Sequence, residues 1–236
     1  MDGQTHWWVL SPLETEAIAL SLRVALWAVS CSLPFGIGVA WLLARRRFPG
    51  KAFVSGLVHL PLVVPPVVIG YVLLILLGRR GPVGAWLFDV FGVTVVFTWK
   101  GAAIASAVMA FPLMVRAIRL SMESVDRGLE DAARTLGARP LGVFFTVTLP
   151  LSAPGVLAGV ILAFARSLGE FGATITFVSN IPGETRTLPL ALFVFTQTPG
   201  GDAGAFRLVV IAVVLALVAL AASEALARRV AARTQS

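Results

Sequence analysis

The sequence predicts an all-α integral membrane protein with about five transmembrane helices, six being possible, and one long polar loop between them. Three observations carry this. Of the 236 residues 58% are hydrophobic and 13% charged, with a mean hydropathy of +0.90, too few polar groups to cover a water-facing surface. The apolar residues fall in runs as long as the roughly 20 residues that a helix needs to cross the hydrocarbon core. The 22 glycines and 14 prolines suit helices packed closely in lipid better than the alternating pattern of a β-barrel. No boundary, repeat or low-complexity segment divides residues 1–236, so a single domain is expected.

The opening MDGQTHWW has no basic n-region and does not read as a cleaved signal peptide; Trp7 and Trp8 suit an interfacial anchor. The first span is expected over Leu13–Ala44, stopping at Arg45-Arg46-Arg47, with Glu16 and Arg23 in its outer part able to snorkel. A second, Ala52–Leu77, contains Pro61, Pro65 and Pro66, where missing backbone donors make the helix bend or break. Such breaks serve either a transport path or simple packing. Gly78–Trp99 reads as an outer loop with an interfacial helix. The third span, Gly101–Met122, has Pro112 and a small-residue face at Ala102, Ser106 and Ala110.

The fourth span is expected over Pro154–Phe177, with a small-residue stripe at Gly155, Gly159 and Ala163, and with Arg166 and Glu170 four apart on one helix face. After a polar stretch, Leu188–Thr198 is too short to cross and reads as a half-inserted helix. The last span, Ala205–Leu226, ends at Arg228-Arg229. Of the 19 arginines and lysines, twelve then fall on one side, five on the other, and Arg23 and Arg166 within spans. That asymmetry puts the N-terminus outside and the C-terminus inside. Six crossings would need Leu188–Thr198 to traverse, or another crossing within Gly78–Trp99.

The polar loop, 123–150, holds four of the twelve acidic residues. Leu129, Ala133 and Leu136 give a short helix one apolar stripe that should dock on something, against a charged face of Glu130, Asp131 and Arg134. Asp126 or Ser124 can cap its start, Gly137 supplies a left-handed stop, and Pro140 begins a second helix. Ala132 and Ala133 allow a partner's surface to approach closely, while Glu130 and Asp131 offer it acceptors.

Asp131-Ala132-Ala133, then Gly137 after three residues, then Val147-Thr148-Leu149-Pro150 after nine more, resembles the Glu-Ala-Ala signature of permease subunits of bacterial ABC importers. Asp131 stands for the consensus Glu and Val147 for Ile. The resemblance implies a type I importer permease fold and a loop that couples the chain to an ATPase, with Leu129, Glu130, Asp131, Ala132, Ala133, Gly137, Val147, Leu149 and Pro150 as coupling residues. A purely structural amphipathic loop helix is the competing reading.

No nucleophile and base, metal constellation or G-x-x-x-x-G-K-[ST] phosphate loop has usable spacing, so an enzyme is not expected. His6 and His59 are expected near opposite surfaces, and the lone Cys31 reads as a free buried thiol. The net charge of +7 fits arginine in cytoplasmic loops rather than a nucleic-acid partner. A passive channel would work without the loop; an intramembrane enzyme would carry a catalytic pair.

The runs Ala165–Leu192, His59–Leu74 and Phe111–Leu120 resemble the molybdate branch of these permeases, with tungstate as a near-equivalent ion and sulfate permeases as the neighbouring branch. The resemblance implies an inner-membrane location, a second copy of the chain, two copies of an ATP-binding subunit, and a periplasmic molybdate-binding protein. It also implies that this chain binds no cofactor and that the partner uses ATP and Mg. Arg166 and Glu170 are then either a buried packing pair or, with Pro65 and Pro66, part of the translocation path or its gate.

Overall fold

The computed structural model describes residues 10–234, all of whose regular elements are helices. The expected anchor at Trp7 and Trp8, like His6, lies outside the described residues. α1 (Pro12–Arg45) starts with a capping box: the Ser11 hydroxyl accepts from the Glu14 N–H, and the Glu14 carboxylate accepts from the Ser11 N–H. α5 (Trp99–Ser124), capped by Thr98, and α9 (Ala153–Leu168) pack with α1 as the central bundle. The small-residue stripe of α9 explains how closely it meets α5. Ala102, Ser106 and Ala110 are buried on α5, as are Gly155, Gly159 and Ala163 on α9. A Cβ on Gly159 would lie 3.0 Å from the Met114 carbonyl oxygen, so a larger residue would force the two backbones apart.

Two apolar clusters fill this bundle. One holds Leu20, Val24, Ala102, Ala105, Met109 and Phe177, towards the start of α1. The other holds Leu43, Met114, Ile118, Met122 and Ala163, towards its end. A third, smaller cluster of Ala17, Ala191 and Leu208 joins α1 to α11 (Leu188–Gln197) and α12 (Asp202–Thr234). There the Arg207 Nε donates to the buried Glu14 carboxylate at 2.8 Å.

Among the described residues three helices, over Pro12–Arg45, Trp99–Ser124 and Asp202–Ala222, are long and apolar enough to cross a membrane; counting each of two bent helix pairs as one span gives up to five. The proline-rich second span is broken: α2 (Lys51–Val63) and α3 (Pro66–Leu77) meet at 114°. Pro65 and Pro66 lack the donors that a continuous helix needs. α4 (Pro82–Phe91) is the short helix expected in the following loop.

The fourth span differs from expectation. It is not one helix over Pro154–Phe177, because α9 stops at Leu168 and α10 (Gly172–Val178) starts afresh. Glu170 sits in the interruption and its Oε1 accepts the Ala173 N–H at 2.8 Å, giving the backbone a partner outside the helical ladder between two glycines. Cys31 is also corrected: it is exposed, lining open space beside Ile104 and Ala107 of α5. Arg23, expected to snorkel, lies with its guanidinium 3.8 Å from the centre of the Trp99 ring.

Candidate functional site

The loop after α5 folds from local signals. The Asp126 carboxylate accepts the Gly128 N–H at 2.8 Å and starts α6 (Arg127–Thr135). At the other end Gly137 has φ +89°, its N–H donates to the Arg134 carbonyl at 2.9 Å, and the Ala138 N–H reaches back to the Ala133 carbonyl at 3.0 Å. These two bonds close the helix as a Schellman motif, in a left-handed conformation that costs a residue with a Cβ about 1–2 kcal/mol. Pro140 then opens α7 (Pro140–Val143). The chain widens into a π turn over Phe144–Thr148 and continues as α8 (Leu149–Leu151). Pro150 has no N–H to offer the carbonyl four residues before it, which accounts for a widened turn at that place.

Glu130 departs from its expected place. It does not lie on the outward charged face but is buried, with its Oε1 2.9 Å from the Arg45 Nε at the end of α1. The Thr148 hydroxyl, also buried, donates to the same oxygen at 2.7 Å. Side-chain exposure is only 8% for Arg45 and 6% for Glu130. The Arg45–Glu130 contact is an ion pair without hydrogen-bond alignment, while the Arg45 Nη2 donates to the Val125 carbonyl at 3.0 Å. Arg45 therefore ties the end of the first span to both the entrance of the loop and its first helix. Edge-on packing of Trp41 against Phe144 adds an apolar contact between α1 and the π turn. Periodicity within the loop could not show this, because the two nearest partners of Glu130, Arg45 and Thr148, lie outside α6, while Arg134 on the same helix stays 3.8 Å from the other carboxylate oxygen; the signal available was the arginine run closing the first span.

The apolar stripe is left open by this chain. Leu129 is 51% and Leu136 89% exposed, Ala133 is half-buried, and Leu141 and Phe145 add further exposed apolar surface from the next turn. Asp131 is exposed and pairs with Arg134 on its own helix. Ala132 and Pro150 are exposed, and Val147 and Leu149 half-buried. A rigidly held helix with an uncovered leucine face, joined to α1 by a buried ion pair, can receive a push and pass it to the bundle.

The second group of residues is brought together by the two helix breaks. A Cβ on Gly172 would lie 2.8 Å from the Pro66 Cβ, and one on Gly70 would lie 2.5 Å from the Ala173 carbonyl oxygen. The interruption between α2 and α3 thus faces the one between α9 and α10. Arg166 Nη2 lies 2.7 Å from Glu170 Oε2, so the pair forms, but across the end of α9 rather than along one helix face. Glu170 is buried while Arg166 is partly exposed, and the Ser167 hydroxyl beside them is buried without a partner among the described residues. Pro65 is exposed and Pro66 half-buried.

The profile of the family described as "Binding-protein-dependent transport system inner membrane component" matches residues 32–232. The "Molybdenum transport system permease protein ModB" of Escherichia coli (strain K12) is 61% identical over 220 residues, covering 93% of this chain and 96% of that protein. A "Sulfate transport system permease protein CysW" of Synechocystis is 37% identical over 214 residues, 91% of this chain and 77% of that one. Among solved structures, a bacterial ABC transporter that imports the polysaccharide alginate aligns with a TM-score of 0.74 and 17% identity, over 93% of this chain and 80% of that chain. That likeness establishes the fold.

Proposed function

The chain belongs to the family of binding-protein-dependent transport system inner membrane components, and from that premise we propose that it is the permease subunit of an ATP-driven importer of molybdate, accepting tungstate as well. The observation that carries the importer reading is the loop: a closed helix with an open apolar face, fastened to the first span through Arg45 and Glu130. The molybdenum-transport relative supports the substrate, and its similarity exceeds that of the sulfate-transport relative.

In this reading a separate ATP-binding subunit, present in two copies and using ATP and Mg, docks on Leu129, Asp131, Ala132, Ala133 and Leu136 of each of two permease copies. A periplasmic molybdate-binding protein delivers the ion. The permease chain itself binds no cofactor. Closure of the ATP-binding subunits pushes the paired α6 helices, and the Arg45–Glu130 link carries the push into α1 and the bundle. The facing breaks at Pro65-Pro66 and Gly169–Gly172 are where segments change angle. Arg166 there offsets the charge of a passing oxyanion and Glu170 holds Arg166 in place. Weak binding suits such a site, since the ion must leave.

The loop and most of the arginines then lie in the cytoplasm, with the N-terminus outside and the C-terminus inside. Reporter fusions test this: activity of a periplasmic reporter is expected at Gly84 and of a cytoplasmic one at Gly137, and the reverse result at either position contradicts the topology.

Substrate choice is tested by metal uptake in cells lacking their own molybdate importer. Cells expressing the complete system are expected to accumulate molybdenum from micromolar medium, with excess tungstate competing and equal sulfate leaving uptake unchanged. Accumulation of sulfate blocked by neither molybdate nor tungstate contradicts the reading. In the same assay Glu170→Gln is expected to slow uptake severalfold at normal protein level. If neutralising both Arg166 and Glu170 restores stability and full uptake, the pair only packs.

A further inference from the structure

A second cluster of donors lies at the loop end of the bundle, apart from the helix breaks. Ser55 and His59 stand four apart on α2, and Arg116 and Arg119 three apart on α5, so each helix presents its pair on one face. With Leu120 and Glu123 they line a cavity of about 280 Å³. α2 buries none of its own residues, so the polar groups are not there to satisfy a packed core.

Charge and hydrogen bonding in this cavity are unbalanced. The Arg119 Nε pairs with Glu123 at 2.8 Å, which leaves the terminal guanidinium nitrogens without a carboxylate. Arg116 has neither a carboxylate partner nor an aromatic ring beneath it among the described residues, unlike Arg45, Arg166 and Arg207, which are paired, and Arg23, which is stacked. The His59 Nδ1 lies 2.7 Å from the Ser55 carbonyl oxygen and so carries the proton it donates there, leaving Nε2 for another partner. The lining is net positive and rich in donors, with one carboxylate already engaged. Guanidinium groups bind tetrahedral oxyanions through paired N–H bonds, and the exposed Arg116 is free to reach one here.

We propose that this cavity between α2 and α5 binds a tetrahedral oxyanion at the cytoplasmic end of the permease, through Arg116, Arg119 and His59. The inference deepens the oxyanion-importer reading and takes its cytoplasmic placement from it. The same chemistry is presented by a molybdate ion leaving the path and by the phosphate of an anionic phospholipid in the inner leaflet.

The test uses the whole permease–ATPase complex in nanodiscs, either of phosphatidylcholine alone or with phosphatidylglycerol, and inorganic molybdate as the probe. Retained molybdenum is measured after equilibrium dialysis and bound phosphatidylglycerol by native mass spectrometry. For the free ion as ligand, wild-type complex in neutral discs retains molybdate and the double change R116Q with R119Q weakens retention about tenfold, the loss expected for a charge-assisted contact. For the headgroup as ligand, phosphatidylglycerol stays on the wild-type complex and is lost from the variant. The control Arg79→Gln, at the opposite end of the bundle, leaves both readings unchanged. Recovery of the variant as an intact complex excludes misfolding, and Arg116→Lys is to restore part of the binding. Equal retention of molybdate and of phospholipid by wild type and double variant overturns the proposal. Because cellular molybdenum uptake is measured separately, a system that imports molybdate with no ligand in this cavity sinks only the new site. A system that retains the lipid phosphate here but imports no molybdate sinks only the substrate reading.

Discussion

Replacing Arg45 by methionine is expected to abolish molybdate uptake while the assembled complex still hydrolyses ATP. The change leaves the buried Glu130 carboxylate with the Thr148 hydroxyl and, at 3.8 Å, the half-exposed Arg134 guanidinium, and removes the donor to the Val125 carbonyl. Breaking one side of a buried ion pair costs about 3–5 kcal/mol, enough to release α6 from α1 or to lower the melting temperature of the complex markedly. Two further variants separate these outcomes. Methionine at both Arg45 and Glu130 removes the unpaired charge, and such apolar replacement of a buried pair is often neutral or stabilising. The double variant is therefore expected to regain thermal stability but not coupling, because an apolar contact lets α6 slide against α1. Arg45→Lys, keeping the charge without the fork that spans two partners, is expected to fall between. Wild-type uptake per ATP in the double variant shows that the pair is structural and that the push travels elsewhere.

Valine at Gly70 is expected to be nearly as damaging, for a reason of space rather than charge. Its Cβ would sit 2.5 Å from the Ala173 carbonyl oxygen, 2.9 Å from the Ala173 Cα and 2.9 Å from the Thr176 Cβ. Two of the three are backbone atoms, so no side-chain rotation relieves the clash and α3 must part from α10. Overpacking of this kind costs about 1–3 kcal/mol, and the upper end applies where the obstacle is rigid. The facing breaks then separate, and uptake is expected to fall at least tenfold, with a lower melting temperature in detergent. Gly56→Ala is the matched control: a Cβ there meets nothing within 4 Å, and alanine favours the helix by about 1 kcal/mol. Normal uptake in the Gly70 variant contradicts the view that these breaks must stay in contact.

What was legible in the sequence depended on whether its cause was local. The Asp126 cap, the Gly137 stop and the Pro140 start lie within a few residues of the helices they bound, and each was readable from residue type and spacing. The same holds for the small-residue faces of α5 and α9, which repeat at helical spacing and are buried, although the glycines of α9 meet Met114, Ala117, Ile118 and Ser121 of α5. The break at Pro65-Pro66 is written into proline chemistry. The break at Glu170 is not, since a glycine–glutamate–phenylalanine–glycine run interrupts a helix only if its carboxylate finds a backbone N–H, here that of Ala173. The burial of Glu130 is not local either: its neighbours on α6 are charged, and the partners that draw it inward, Arg45 and Thr148, are 85 and 18 residues away in sequence. The exposure of Cys31 is not legible in its run, because an apolar run shows no face of its own when every side of the helix is apolar.

The most direct test of the coupled-importer account reconstitutes the permease with its ATP-binding subunit in liposomes, adds the molybdate-binding protein, and measures ATP hydrolysis and molybdate entry together. Entry is expected only when ATP and the binding protein are both present, hydrolysis is expected to rise as delivery begins, and liposomes holding the permease alone are expected to show neither. Molybdate entry through the permease alone, without ATP and down its gradient, would contradict the account and make the chain a passive channel.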